Sequence, residues 1–553
     1  MSDFAQHADA SLAAPRMTQN WRMTQNWQVT KPGASGRRGV VVSQSRDAAL
    51  AGLAVLDAGG NAVDAAVATA LALAAVEPWN SGLGGIGFAV VHRAGAPRAE
   101  VVDFGPRAPR RLDPGLFPLT GRTKADLFTW PEVAGDANIH GPLSFVIPSA
   151  VAGYGEMLRR WGVLPLPEVM APAVALARRG LAQDWFTTLK VANAAAVLRL
   201  YPESARIYLP GGLPPVAPYQ GSPGFFQLGA LLDTLERLSQ AGLRDFYEGD
   251  VAGEVAADVA GMGGVLDGED LRGCAARVVP AMEIAWHGRV VQAAGGLTAG
   301  PTLARVLEGL PRVPGARDGV PGAAPPDAAW FVALARRLKA AYAERLAGLG
   351  DAEPKAAESC TTHVTVCDAD GTMVAMTTTL LSSMGSRVVL PRSGVLMNNG
   401  VMWFDPRAGQ ANSVGPGKRP LTNMCPVVVR EGDVRAGSGP GGGRPVLAAG
   451  ASGGRRILAA VVQMLAFADA GMTPGDAAHQ PRIDVSDAET VHADARLPRD
   501  VLDALGAEGA LEVVEHGVLP VNFACPNLIQ ERDGVRTGIS DAMSPWSAAV
   551  AQE

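Results

Sequence analysis

The sequence predicts an α+β fold in which helices cover β-sheets and two differently composed parts of the chain interleave. Two observations carry this. Alanine-rich helical segments follow a short β-rich run near the start, and a hairpin with further candidate strands dominates the last third. Length and composition are compatible: 553 residues exceed what one typical core requires, and 48% of them are apolar.

From "GVVVSQS" the chain runs into "RDAALAGLAVLDAGGNAVDAAVATALALAAVEPW", which reads as two helices separated by Gly59-Gly60. Asn61 or Asp64 caps or begins the second. Both are apolar over much of their circumference, as expected of helices buried between layers. "SGLGGIGF" lacks the full dinucleotide fingerprint, so a tight turn with close chain packing is expected there, leading into another strand. "SAVAGYGEMLRRWGVLPLPEVMAPAVALARRG" gives two amphipathic helices around a proline-containing break, and "DAAWFVALARRLKAAYAERLAGLG" a later one. "GLPRVPGARDGVPGAAPPD" reads as a surface connection, and "DAEPKAAESC" as an exposed, cleavable segment.

"THVTVCDADGTMVAMTTT" predicts a hairpin closed by Asp-Ala-Asp-Gly. "SGVLMNNGVMWFD", "CPVVVREG" and "RPVLAAGASGG" supply further candidate strands, and "RRILAAVVQMLAFADAG" a helix. At the other end, the tandem "RMTQNWRMTQNW" is too short for a solenoid and reads as an arm whose tryptophans dock on the body.

The formal net charge of -6 gives no support for a nucleic-acid partner. No apolar segment reaches the length of a membrane span, and the first residues lack a signal-like pattern, so a cytoplasmic location is expected. Five cysteines with no CxxC pair read as isolated thiols, and scattered His and Asp residues form no metal signature.

Thr361-Thr362-His363 opens the hairpin. A threonine hydroxyl is a poor nucleophile, but cleavage of the bond before Thr361 frees an α-amine that is neutral near pH 7 to 8 and takes the hydroxyl proton. Alone, the tripeptide has an ordinary reading, since threonines favour strands. The wider pattern carries more. "AGGNAVDAAVATALAL", "SGLGGIGF", "IPSAVAGYGEMLRRWG", "AYAERLAGLGD", "TTHVTV", "KRPLTNMCP" and "SGGRRI" occur in an order that resembles the γ-glutamyltranspeptidase family of N-terminal nucleophile hydrolases.

That resemblance implies an αββα sandwich built by both fragments of a self-cleaved precursor. Its organisation is an N-terminal arm (1–35), a helix-rich large chain (36–360) and a strand-rich small chain (361–553). Thr361 attacks the Cys360 carbonyl, and Thr379 on the return strand orients it; packing is the ordinary role of Thr379. Thr362 and His363 read as local strand support. Amide cleavage also needs backbone N–H groups for the oxyanion. "GSGPGGGRP" is the more conspicuous glycine run but reads as a flexible loop. Gly453 and Gly454 open an apparent helix and match the family's oxyanion pair. No metal or organic cofactor is required. The expected partners are a small-molecule amide and the two fragments themselves.

The substrate side departs from γ-glutamyl enzymes. Gly105 follows Asp103-Phe104 where those members carry a carboxylate-binding arginine, leaving Arg107 as a substitute two residues on. Leu381, Gly400 and Trp403 replace Asn, Gln and Asp, and Thr422-Asn423 replaces a serine pair. An ammonium group among Leu and Trp loses its charged partners. Arg387 reads either as a carboxylate anchor or as a structurally paired arginine. The reading is therefore an autoprocessing amidohydrolase for a small or acidic acyl group, oxamate-like or of the glutaryl-cephalosporin type. A γ-glutamyltransferase or glutathione hydrolase is the enzyme alternative, and an inactive structural or binding relative the other.

Overall fold

The computed structural model describes residues 29–123, 130–314, 325–349, 359–432, 443–486, 489–519 and 521–553. The expected tryptophan-bearing repeat, residues 351–358 of the expected cleavable segment 351–360 and most of the two Gly/Pro-rich connections lie outside these residues, while the end of that segment, Ser359 and Cys360, begins a strand. A compact unit runs from Lys31 to Glu553. Ala34 and Ser35, assigned to the arm by sequence, form with Gly36 an edge strand of this unit, because its backbone pairs with Arg536–Gly538.

Two seven-stranded sheets, wholly antiparallel among the described residues, form the centre. The first runs in spatial order Ala548–Ala551, Val40–Ser43, Ser359–Cys367, Met373–Ser382, Ile86–His92, Glu100–Phe104 and Arg277–Pro280. The second runs Ala34–Gly36, Val535–Ser540, Cys525–Arg532, Pro445–Ser452, Val427–Glu431, Arg289–Ala293 and Met282–Trp286. Both sheets thus combine strands from before and after Cys360.

Side-chain alternation sorts the strands into three apolar layers. Val364, Val366, Val374 and Met376 face a core shared with the helices Arg46–Asp57 and Ala62–Val76. Val42, Phe88, Ala375, Val428 and Ile529 fill the space between the sheets. Val427, Val429 and Leu447 pack against Ile457–Asp469 and Ala328–Leu349. Burial on both faces explains why these strands read as continuous apolar runs. Ala62–Val76 is likewise buried along its whole length, and Asn61 closes a capping box with Asp64.

"SGVLMNNGVMWFD" does not form the expected strand. It holds three isolated bridges, Val389 with Leu396, Gly84 with Met397 and Asp405 with Ser413, and a 3-10 turn at Gly400–Trp403. Asn398 accepts from the N–H groups of Val146 and Gly400 and donates to the carbonyls of Gly84 and Val146. Its amide thereby competes with a sheet ladder for the local backbone.

Candidate active site

The hairpin Ser359–Cys367/Met373–Ser382 is regular except at Thr361. Cys360 pairs with Leu381 and Thr362 with Thr378, so the register slips by one and Thr361 faces both Thr379 and Leu380. A bulge of this kind re-aims one side chain without ending the sheet. The Thr361 hydroxyl donates to Thr379 Oγ1 at 3.4 Å, and Thr379 Oγ1 also accepts from Leu381 N–H at 2.8 Å. Thr361 is 5% exposed and Thr379 fully buried. Leu381, Met384 and Arg387 all have positive φ (86°, 60° and 63°), a concentration of backbone strain directly after Thr379.

Thr361 lies on the strand face directed at the second sheet. Two residues on, His363 packs against Gly450 so closely that a Cβ there would sit 2.1 Å from its ring. The strand containing Gly450 ends at Ser452 and continues into Gly453 (φ 137°) and Gly454 (φ 59°). A 3-10 turn, Gly454–Arg456, intervenes before the α-helix begins at Ile457, so the glycines open the helix less directly than the sequence suggested. That turn packs against the Thr361 strand, bringing glycine backbone to the same side of the fold as Thr361. Gln44 donates to Ser452 Oγ, tying the two sheets together one residue before the glycines.

Burial drives the His363 imidazole down to about 3, and its Nδ1 lies 2.8 Å from Thr377 Oγ1. A neutral ring held this way supports the strand. On the opposite strand face, Thr362 donates to Glu77 Oε2 at 2.6 Å. Burial pushes the Glu77 carboxyl up to about 7. The sequence reading passed over Glu77 because it ends an apolar alanine-rich run and resembles an ordinary helix terminus.

The substrate-side candidates are held by different partners. Arg387 donates through Nη1 to Ser382 Oγ (2.8 Å) and Gly385 O (2.5 Å). Ser382 itself pairs with Ser359, two residues before Thr361. Trp403 is buried in an apolar cluster with Leu381, Met402 and Phe404. Thr422 donates to Leu297 O (3.0 Å), and buried Arg345 donates to Thr422 O (2.5 Å) and Asn423 Oδ1 (3.4 Å). Arg107 is exposed, and its charge acts on the Cys274 thiol.

Arg419 was missed by the sequence reading and occupies the room that Gly105 leaves. It shares that room with the Phe88 ring: a Cβ on Gly105 would lie 2.3 Å from the ring and 2.6 Å from Arg419 Nη2. Continuing the Phe104–Gly87 pairing by one residue puts Gly105 beside Ile86, which pairs with Thr379. Two strand spacings separate it from Thr379, about 10 Å. Arg419 is committed to Asp103, with contacts of 2.8 and 2.5 Å. Burial raises the Asp103 carboxyl, but Arg419 and Arg277 more than offset this and hold it below its ordinary value. Only the run "GKRP" hinted at such a cation, and the sequence offers no pairing that links it to Asp103.

A family model described as gamma-glutamyltranspeptidase matches residues 48–360 and 352–542. The chain belongs to this family of N-terminal nucleophile hydrolases. It is 29% identical to the acylase ACY 1 proenzyme of Pseudomonas sp. (strain V22), over 87% of this chain and 88% of that protein. It is 26% identical to the glutathione hydrolase proenzyme of Bacillus subtilis (strain 168), over 92% and 90% respectively. Among solved structures, the cephalosporin acylase from Bacillus halodurans superposes with a TM-score of 0.78 at 22% identity, covering 96% of this chain and 99% of that one. That superposition shows the shared fold. Membership makes the family member an enzyme of the amidohydrolase and acyltransferase class. No helix among the described residues is long and apolar enough to cross a membrane.

Proposed function

We propose that the protein is a self-processing amidohydrolase with Thr361 as nucleophile and a small, acidic, non-glutamyl acyl group as substrate. The observation that carries the reading is the Thr361 hydroxyl at a bulge, 3.4 Å from Thr379 Oγ1, with the Gly453-Gly454 turn on the facing sheet. In the precursor, Thr361 Oγ1 adds to the Cys360 carbonyl and the C–N bond breaks, leaving an ester and a free Thr361 amine; water then hydrolyses the ester, freeing the Thr361 hydroxyl and a Cys360 carboxylate. That amine then serves as base when the hydroxyl attacks substrate. The substrate amine departs, and water hydrolyses the acyl ester. The N–H groups of Gly453 and Gly454 hold the oxyanion.

The apolar wall supports a non-glutamyl acyl group. Leu381 and Trp403 are buried among hydrocarbon, a poor setting for an ammonium group. Arg387 is the carboxylate anchor in this reading, reached through Ser382, whose partner Ser359 lies in the segment that cleavage separates from Thr361. Arg107, Thr422 and Asn423 take supporting places in this reading. Parallel assays on glutaryl amides, oxamate and glutathione test the assignment. Turnover of a glutaryl amide or oxamate well above glutathione is expected; dominant glutathione turnover would overturn the non-glutamyl reading.

A further inference from the structure

The segment after the helix Ala62–Val76, "EPWN", grips both strands of the hairpin at the bulge. On one strand, Glu77 Oε2 accepts from Thr362 Oγ1 at 2.6 Å, and Thr362 is the residue at which regular pairing resumes. On the other, Leu380 N–H donates to Asn80 O and, two residues past the strand's end, Met384 N–H donates to Trp79 O, both at 2.9 Å. Leu380 is one of the two residues facing Thr361 across the slip. The turn is closed on itself by Asn80 N–H donating to Glu77 O at 3.2 Å. A strand bulge is a local loss of ladder bonds, so its geometry depends on whatever fixes its two sides.

We infer that Glu77 is a positioning residue: by fixing Thr362 it sets the bulge and holds the Thr361 hydroxyl against Thr379. This rests on the reading of Thr361 as nucleophile. Glu77 is enclosed, and the groups that face it are Thr362 from the hairpin, Asn80 in its own turn and the Lys190 ammonium from the helix Trp185–Leu198. Burial pushes its carboxyl up to about 7, against the pull of Thr362, Lys190 and Asn80. Above that pH the carboxylate accepts a charge-assisted bond from Thr362; below it the bond loses that strength.

Self-processing isolates this effect, because the Thr361 amine does not exist until the chain is cut. Precursor from cell-free synthesis is followed by intact mass across pH 5.5 to 8.5. The wild-type cleavage rate is expected to fall as pH drops through about 7. Glu77→Gln is expected to cleave about 10-fold more slowly, with a flat profile over that range. In mature enzyme the same variant lowers kcat and leaves KM unchanged. Thr362→Val removes only the hydroxyl and is expected to reproduce the slow processing, while Thr362→Ser restores it. Wild-type rate and profile in Glu77→Gln, or in Thr362→Val should the first variant not fold, would overturn the inference. A wild-type chain that never cleaves would instead overturn the reading of Thr361 on which it rests.

Discussion

The hydroxyls of Thr361 and Thr379 lie 3.4 Å apart across a slip in strand register, and Thr379 Oγ1 simultaneously accepts from Leu381 N–H at 2.8 Å. The second bond fixes Thr379 from behind and leaves its oxygen aimed at Thr361. Thr379→Val preserves shape while removing the acceptor. It is expected to cut kcat and processing rate by roughly 10- to 100-fold, the cost of about one to three kcal/mol for a buried group left unmatched. Steady-state kinetics with a thermal melt separates this from unfolding, since the melting temperature should move little.

His363 packs directly on Gly450 between the sheets, and a Cβ on Gly450 would meet the ring at 2.1 Å. Gly450→Ala is therefore expected to destabilise the fold by about 1–3 kcal/mol, the usual range for overpacking. Denaturant unfolding checks the magnitude. A wild-type midpoint would show that the sheets part without cost.

Asp541 is buried against Arg482 at 2.5 Å, with His516 3.5 Å away. Burial raises its carboxyl, but Arg482 and His516 outweigh that and hold it well below the ordinary range. A carboxyl whose pKa is lower folded than unfolded contributes stability above its unfolded value near 3.9, lost as pH falls below it. Arg482→Met strands the charge and is expected to cost about 3–5 kcal/mol at neutral pH. Melting curves from pH 3 to 7 should show the wild-type advantage shrinking at the acid end.

Arg387→Ala tests the acidic-acyl assignment. The KM for a glutaryl amide is expected to rise about 10-fold or more, as for a lost charge-assisted contact, while self-processing stays within about twofold. An unchanged ratio of acidic to neutral substrate turnover would return Arg387 to a loop-bracing role through Ser382 and Gly385.

The hairpin was legible because its signals are local: an Asp-Ala-Asp-Gly turn between β-branched runs. The bulge was not, since it depends on which residues pair across two strands, and nothing in "SCTTHVTV" marks Thr361 as out of register. The helix ending at Val76 was legible for the same local reason as the hairpin, yet Glu77 gains its place only when the tertiary fold lays that helix end on Thr362. "SGVLMNNGVMWFD" misled because β-propensity counts apolar residues and ignores what Asn398 does with its amide. Arg419 filling the space at Gly105 joins residues more than 300 positions apart, beyond any motif.

Intact mass with N-terminal sequencing of the purified protein tests the central claim most directly. Two fragments are expected, one ending at Cys360 and one beginning at Thr361 with a free α-amine, and neither should form in Thr361→Ala. A single full-length species in the wild type, or cleavage that persists in Thr361→Ala, would contradict the account.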